Sequence, residues 1–359
     1  MRTIAFDVLE NYMKEVLCAV GLPTEDAAIS ADILIESDKR GIDSHGIGRL
    51  KPIYIDRIRE GVISPITEIE TIKDGLTTAV LDGHNGMGQV VSKYAMTMAI
   101  EKAKKFGMGM VAVRNSNHYG IAGYYATMAT EEGLIGITGT NARPSIAPTF
   151  GIENMLGTNP LTFGFPTDEA FPFVLDCATS VTQRGKIEVY QRLGKTLPSG
   201  WVIGADGEPR TDTEAVLMDL VTGGAALTPL GGIGEVLGGY KGYGYATVVE
   251  ILSAALQGGA FLKALSGMQD GKKVPYNLGH FFMAIDIEAF TTLAAFKKTT
   301  GEILRELRAS QKAPGHDRIY TPGEKEYLAR VERDVTGVPI NEALEKDIAE
   351  IKRLYGIEV

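Results

Sequence analysis

The spacing of apolar residues changes along this chain, and that change limits the fold more than any single motif. Near the N-terminus Phe6, Leu9, Met13, Val16 and Leu17 share one face of a helix that Gly21 and Pro23 bring to an end. Near the C-terminus Leu344, Ile348, Ile351 and Tyr355 repeat the same period within "NEALEKDIAEIKRLYG". Between them, from Thr78 on, short apolar runs alternate with glycine: "TTAVLDG", "GMVAVRNS", "LIGITGTN", "LTFGFP" and "FVLDCA". Such runs read as strands, with one helix at "VVSKYAMTMAIEKAKKFG". Helices at both ends and strands between predict an α/β (α+β) protein in which the C-terminal segment returns to the N-terminal unit.

Thr24, followed by Glu25 and Asp26, predicts an N-cap and an acidic first turn for a second helix. Ile53, Ile55 and Ile58 predict a third helix running to Gly61. The segment 190–230 is rich in turn formers ("PSG", "ADGEP", "TPLGG") and predicts surface loops around a site. A buried helix over 241–257, a strand at "HFFMAIDI" and a helix beyond Glu288 complete the reading. With 359 residues the chain is longer than one core usually serves. Two units are expected, an α-rich one from 1–77 and 289–359 and a sheet unit from 78–288.

The net charge of -9 disfavours nonspecific contact with nucleic acid or an anionic membrane. Two cysteines, Cys18 and Cys177, match neither a disulfide framework nor a metal-ligand spacing and read most simply as small buried groups in a reducing compartment. Asp7, Glu10 and Glu15 interrupt any signal-peptide pattern, and Glu250 and Gln257 interrupt the longest apolar stretch. A cytoplasmic protein is expected.

There are 43 glycines, yet no G-x-G-x-x-G occurs, so the usual Rossmann fingerprint is missing. "GKT" at 194–196 fails as a P-loop because Val189 stands where its first glycine is required. Neither H-E-x-x-H nor G-x-S-x-G is present. The five histidines (His45, His84, His118, His280 and His316) all lie more than a helical turn apart, so no metal site is expected.

Two neighbourhoods carry possible chemistry. In "DSHGIGRL", one helical turn would put His45 and Arg49 on the same side, an imidazole for proton exchange beside a guanidinium for a carboxylate. The plainer reading is a helix start with an exposed histidine. In "VRNSNHYGIAGYY", His118 comes after a strand and among turn formers, a place that suits either a catalytic group or an ordinary turn. Asp176 in "LDCATS" could hold a ribose hydroxyl or cap the next segment, and Lys241 in "GGYKGYG" could hold phosphate at a helix start or be a solvated lysine.

Taken in order, "DSHGIGRL", "NGMGQVVSKYAM", "NSNHYGIAGYYA", "GTNPLTFGFP", "LDCATSVTQRGKIEVYQRLGKTLPSGWVIGADGEPRTD", "GGYKGYGYATVVEIL" and "HFFMAIDIEAF" resemble the type-2 malate/L-lactate dehydrogenase family over nearly the whole chain. The resemblance implies an oxidoreductase using NAD or NADP without a Rossmann fold. It implies a largely antiparallel sheet domain for the dinucleotide, an α-rich domain from both termini, and a homodimer. Ser44 and His45 match the family's proton-donor pair and Arg49 its carboxylate-binding arginine. His118, Tyr119, Gly120, Ile121 and Ala122 match the segment placed against the nicotinamide, and in some members this histidine is itself the acid/base. Thr158, Arg184 and Gly185 match substrate-side positions, with Lys186 next to them. Asp176, Cys177 and Ala178, then Lys241, then Pro322, Gly323 and Glu324, match cofactor contacts.

The imino-acid reductases of the family carry an aspartate where this chain has Lys186, so the resemblance favours the oxo-acid enzymes. It implies hydride transfer between a nicotinamide and a 2-oxo acid, with malate/oxaloacetate first and L-sulfolactate, L-lactate, ureidoglycolate and diketogulonate as alternatives. His45 is favoured as the proton donor and His118 as the orienting group. A noncatalytic small-anion binding protein is the reading from another class, and a phosphate-ester or carbohydrate enzyme is a third.

Overall fold

The computed structural model describes residues 2–359. Its centre is a seven-stranded sheet in the order Glu70–Asp74, Thr78–Asp82, Met108–Ser116, Leu278–Asp286, Leu134–Thr140, Leu161–Phe165, Phe173–Cys177. All neighbours run antiparallel except Thr78–Asp82 and Met108–Ser116, which are parallel and joined by the helix Gly88–Phe106. A parallel pair needs such a crossover. One crossover in seven strands leaves no doubly wound nucleotide fold, in keeping with the missing fingerprint.

The strand in the middle comes from far down the chain. "LGHFFMAID" is almost unbroken in apolar character, which suits a strand covered on both faces. Phe282 and Ala284 join Val91, Ala95, Met96 and Ala99 of the Gly88–Phe106 helix, with Tyr125, in one core. The helix Gly239–Ala254 covers the opposite face so closely that a Cβ on Gly279 would lie 1.7 Å from the Ser253 carbonyl oxygen. Only glycine fits there.

The two ends of the chain meet. Arg2–Ile4 pairs antiparallel with Val338–Ile340, and Leu9, Met13 and Leu17 pack with Ile35, Leu50, Tyr54, Ile348 and Ile351. Met87 and Val90 share that core, so the crossover helix ties the helical layer to the sheet. Fully burying a leucine-sized side chain stabilises by about 1.5–3 kcal/mol, so this layer holds itself together by ordinary apolar packing.

Three local expectations are corrected. Thr24 is not an N-cap: the helix Thr24–Lys39 starts after Pro23, which fixes the entry without a side-chain capping bond. The third helix is a 3-10 turn Ile47–Arg49, a π-helical turn Leu50–Ile55 and one α turn Asp56–Arg59. A π turn takes one residue more per turn, so the inward-facing positions after Arg49 are rephased and Tyr54 is buried. The segment 190–230 is not loose loops. It holds the helix Thr213–Thr222 and a strand pair, Val202–Gly204 with Ala225–Leu227, which pack with Ile187 and Ala246 around a core of their own. The turn formers there end short elements rather than prevent them. Among the described residues no helix is long and apolar enough to cross a membrane.

His280, on the central strand, is fully buried, its ring 4.5 Å from Tyr119 and parallel to it within 1°. Its nitrogens bond Thr140 Oγ1 at 2.7 Å and Ser116 Oγ at 2.8 Å. Burial pushes its pKa down to about 3, so the folded protein keeps it neutral while the unfolded chain takes a proton below about 6.5. Stability from this group is present above that value and is lost as the pH falls through the window between the two. His280→Gln should therefore flatten the acid limb: relative to the variant, wild type loses about 1.4 kcal/mol per pH unit from about pH 6 to 4 in denaturant titrations. Parallel stability curves for the two proteins would contradict it.

Candidate active site

The strand Met108–Ser116 delivers the chain to the sheet's end, and Asn117 turns it. This buried amide donates to the carbonyls of Asn85 at 3.0 Å and Gly86 at 2.9 Å, which fixes the exit direction. Tyr119 then locks onto His280, and its carbonyl accepts Tyr125 Oη–H at 2.6 Å. Held on both sides, His118 faces the loop that carries His45.

The two imidazoles lie nearly parallel, 5.7 Å apart with 19° between their planes. Gly120 stands between them: a Cβ there would come within 2.8 Å of His45 Cδ2 and 3.0 Å of His118 Cε1. Each ring is held by a hydroxyl on its Nδ1, His45 by Ser44 at 2.8 Å and His118 by Tyr54 at 2.6 Å. Burial holds the Tyr54 phenol well above its usual range, so it stays protonated and donates to Nδ1. The proton of neutral His118 is then on Nε2.

Both histidines are neutral at neutral pH. His45 is pushed down to about 4, first by burial and then by the Arg49 charge. His118 falls well below the usual imidazole range, by burial and by the charges of His45, Arg49 and Arg57. Arg49 folds back so that Nε donates to the Ser44 carbonyl. The spacing in the sequence predicts His45 and Arg49 on one helical turn; here His45 sits in a turn and Arg49 ends the 3-10 segment, yet they remain electrostatically coupled.

The two histidines and Ser44 open into a cavity of about 240 Å³ that also meets Thr140, Thr158 and Ala178, while Arg49 and Tyr54 stand behind them, outside its lining. Ile42, Ile121 and Asp176 belong both to this cavity and to a second, of about 470 Å³, bordered by Pro322, Gly323, Arg40 and Arg330. The continuous groove fits an elongated dinucleotide. Small residues, Gly120 and Ala122, face the histidines where a flat ring would lie, and the two guanidiniums farther along, Arg40 and Arg330, both pair with Glu36, at 3.3 and 2.9 Å. Asp176 marks the junction, accepting the Gly123 amide at 2.6 Å and Thr162 Oγ1 at 3.1 Å.

Of the residues expected from sequence, Ser44, His45, His118, Tyr119, Gly120, Ile121, Ala122, Thr158, Asp176, Ala178, Pro322 and Gly323 line this groove. Others stand apart in this chain. Arg184 pairs with Glu188 at 2.9 Å, Gly185 has open space around it, and Lys186 lies 5.1 Å over the Trp201 ring. Lys241 is exposed beside Tyr240, Cys177 is an unlinked, half-buried thiol, and buried Glu324 is held by Arg318 and Arg308. Gln183, just before Arg184, reaches the groove instead. Among the described residues no cluster of three or more His, Cys, Asp or Glu could hold a metal.

Tyr54 and Arg57 escape a sequence reading because the π turn rephases them, and a plain 3.6-residue period looks elsewhere. Arg57 lies 4.4 Å over the Tyr276 ring, and with Arg143 it borders a neighbouring cavity of about 370 Å³. Asp56 and Glu60 also border it, but Lys51 and Lys273 pair with them at 3.1 and 2.6 Å. Among the described residues Arg49, Arg57 and Arg143 have no carboxylate partner. Burial and the like charges of Arg143 and Arg49 push the Arg57 pKa down.

The class is an oxidoreductase of small hydroxy or oxo acids, built on a mostly antiparallel sheet, as the chain's likeness to known enzymes shows. The chain belongs to the malate/L-lactate dehydrogenase family, whose model matches residues 4–349. It is similar to the malate dehydrogenase of Pyrococcus abyssi, with 48% identity over 352 residues, 98% of this chain and 94% of that one. The L-sulfolactate dehydrogenase of Methanocaldococcus jannaschii is 39% identical over 345 residues, 96% of this chain and 95% of its own. A crystal structure of malate dehydrogenase from Entamoeba histolytica matches with a TM-score of 0.96 at 46% identity, covering 100% of this chain and 99% of that one. The protein is a 2-hydroxy-acid oxidoreductase, and membership in a dehydrogenase family implies a nicotinamide cofactor.

Gly120→Ala should push the rings apart and slow single-turnover hydride transfer ~10–100-fold with the fold intact by circular dichroism. A rate within about twofold of wild type would remove Gly120 from the site's geometry.

Proposed function

We propose that this enzyme interconverts malate and oxaloacetate, with NAD or NADP as hydride carrier. The observation that carries the reading is the histidine pair backed by three guanidiniums that lack carboxylate partners. A dianionic substrate would supply the two missing negative groups. Arg49 takes the carboxylate beside the reacting carbon, and Arg57 with Arg143 takes the distal one. L-sulfolactate, whose distal group is also an anion, is the second reading, and the relatives' names support both.

Hydride chemistry is what a nicotinamide supplies when bound along the groove. His118, with its proton on Nε2, orients the ring or the substrate by donating a hydrogen bond. His45 exchanges the proton at the substrate oxygen. When malate is oxidised, neutral His45 presents the Nε2 lone pair while Nδ1–H donates to Ser44 Oγ, and the low pKa keeps this base form populated. In reduction the developing charge on the oxygen, beside Arg49, favours transfer of that proton back. Asp176, Pro322 and Gly323 hold the remainder of the dinucleotide.

A homodimer is proposed, supported by apolar side chains left in solvent. Val236 is 96% and Leu237 80% exposed, near Phe150 at 81%. With two free cysteines, a reducing cytoplasm is the proposed location.

The deciding assay tracks reduced-nicotinamide absorbance with NADH and NADPH against oxaloacetate, pyruvate, sulfopyruvate and 2,3-diketogulonate. Oxaloacetate should give the highest kcat/KM; no change with any acid would return the chain to a binding role. Arg57→Leu should raise KM for oxaloacetate ~10–100-fold and leave pyruvate within about threefold. In single turnover His45→Ala should lose ~100-fold or more, and a near-normal rate there with a collapse in His118→Ala reverses the two roles.

A further inference from the structure

His45 sits on a turn with little support of its own, and its position is set by a carboxylate beneath it. Asp38, in the last turn of the helix Thr24–Lys39, is 1% exposed. Its Oδ2 accepts the backbone N–H of Ile47 at 2.8 Å. Gly46 rests directly on the same carboxylate: a Cβ at that position would lie 1.9 Å from Oδ1. The carboxylate thus holds the two residues just after His45, and backbone bonds carry the constraint through the turn, from Ile42 N–H to Ser37 O and from His45 N–H to Ile42 O, both 2.9 Å.

Arg333 closes the loop from outside. This side chain of the helix Glu324–Thr336 donates to the Asp38 carbonyl at 2.5 Å and to both oxygens of Asp43 at 2.5 and 3.0 Å. It is therefore committed to the loop's outer edge, and the buried carboxylate of Asp38 is left with a backbone amide. A buried carboxylate without an ion pair is costly, so its presence here calls for a reason.

We propose that Asp38 is a positioning residue for His45, the ionised carboxylate gripping Ile47 N–H under Gly46 so that the imidazole faces His118 and the substrate. A proton on Asp38 replaces a charge-assisted bond by a weaker neutral one and loosens the turn. Burial pushes Asp38 up to about 7; Asp43 pushes in the same direction, while the Ile47 amide and Arg333 oppose it. Ionised Asp38 is the gripping form, so hydride transfer should rise with pH through about 7. His45 itself titrates near 4, well below that limb.

The inference rests on His45 acting at the substrate, and the test separates the two claims. Single-turnover oxidation of malate, read as NADH formed in the direction in which neutral His45 accepts the proton, is measured across the neutral range in wild type, Asp38→Asn, Asp38→Ala and His45→Ala, with NADH Kd for each. Asp38→Asn, the neutral isostere of protonated Asp38, should lose the limb near pH 7 and run at every pH within about threefold of the wild-type low-pH rate. Asp38→Ala should fall ~100-fold at every pH with NADH Kd unchanged, since a shift of about 1 Å in a reacting group has that effect. A flat wild-type profile, a limb that persists in Asp38→Asn, or a near-normal rate in Asp38→Ala overturns the proposal. If Asp38→Ala does not fold, the Asn profile decides alone. A normal rate in His45→Ala fails the underlying assignment instead, and losses in His45→Ala without losses at Asp38 fail only the positioning role.

Discussion

The antiparallel seating of Leu278–Asp286 between Met108–Ser116 and Leu134–Thr140 is the constraint on which the site depends. It puts His280 beneath Tyr119, and the ring stack together with the Asn117 amide fixes the path of the chain as it leaves the sheet. Segment 118–122 then runs along one wall of the groove with its small residues facing inward. Shifting the central strand by one residue would turn His280 to the opposite face of the sheet and take the support from Tyr119. Joining segments so distant in sequence has an entropic cost, offset by burying a strand that is apolar on both faces.

Electrostatics divides the labour within the groove. The same desolvation that keeps His45 and His118 neutral also leaves Arg57 short of its ordinary solvation. Guanidiniums cannot escape by losing a proton in the way imidazoles do, so Arg57 stays charged, with Arg49 and Arg143 as like charges near it. An incoming dianion relieves that imbalance, and the gain is largest for ligands with two acid groups. On the proposed reading, the site selects for charge before it selects for shape.

Much of this is legible from residue spacing. The helix Gly88–Phe106, all the inner strands and the return of the C-terminal helix emerge from periodicity, because each element buries one regular face. The family emerges from ordered blocks around His45, His118 and Asp176. The features that periodicity hides depend on irregular backbone or on tertiary packing. A π turn conceals Tyr54 and Arg57. The stretch 190–230 looks like loops because its elements are too short for a period to show, and their shared core includes Ile187 and Ala246 from outside. Lys241 and Arg184 stand off the groove because nothing in a single chain's sequence says which way a loop will carry a cation.

The clamp on the His45 loop comes from near the end of the chain. Arg333 and the strand Val338–Ile340 reach back to Asp43 and to Arg2–Ile4. During synthesis the loop is made early, but its outer fastener emerges only when most of the polypeptide already lies outside the ribosome. Nascent chains, or chains cut short before Arg333, therefore carry the Asp38 contact under the loop without its outer fastener.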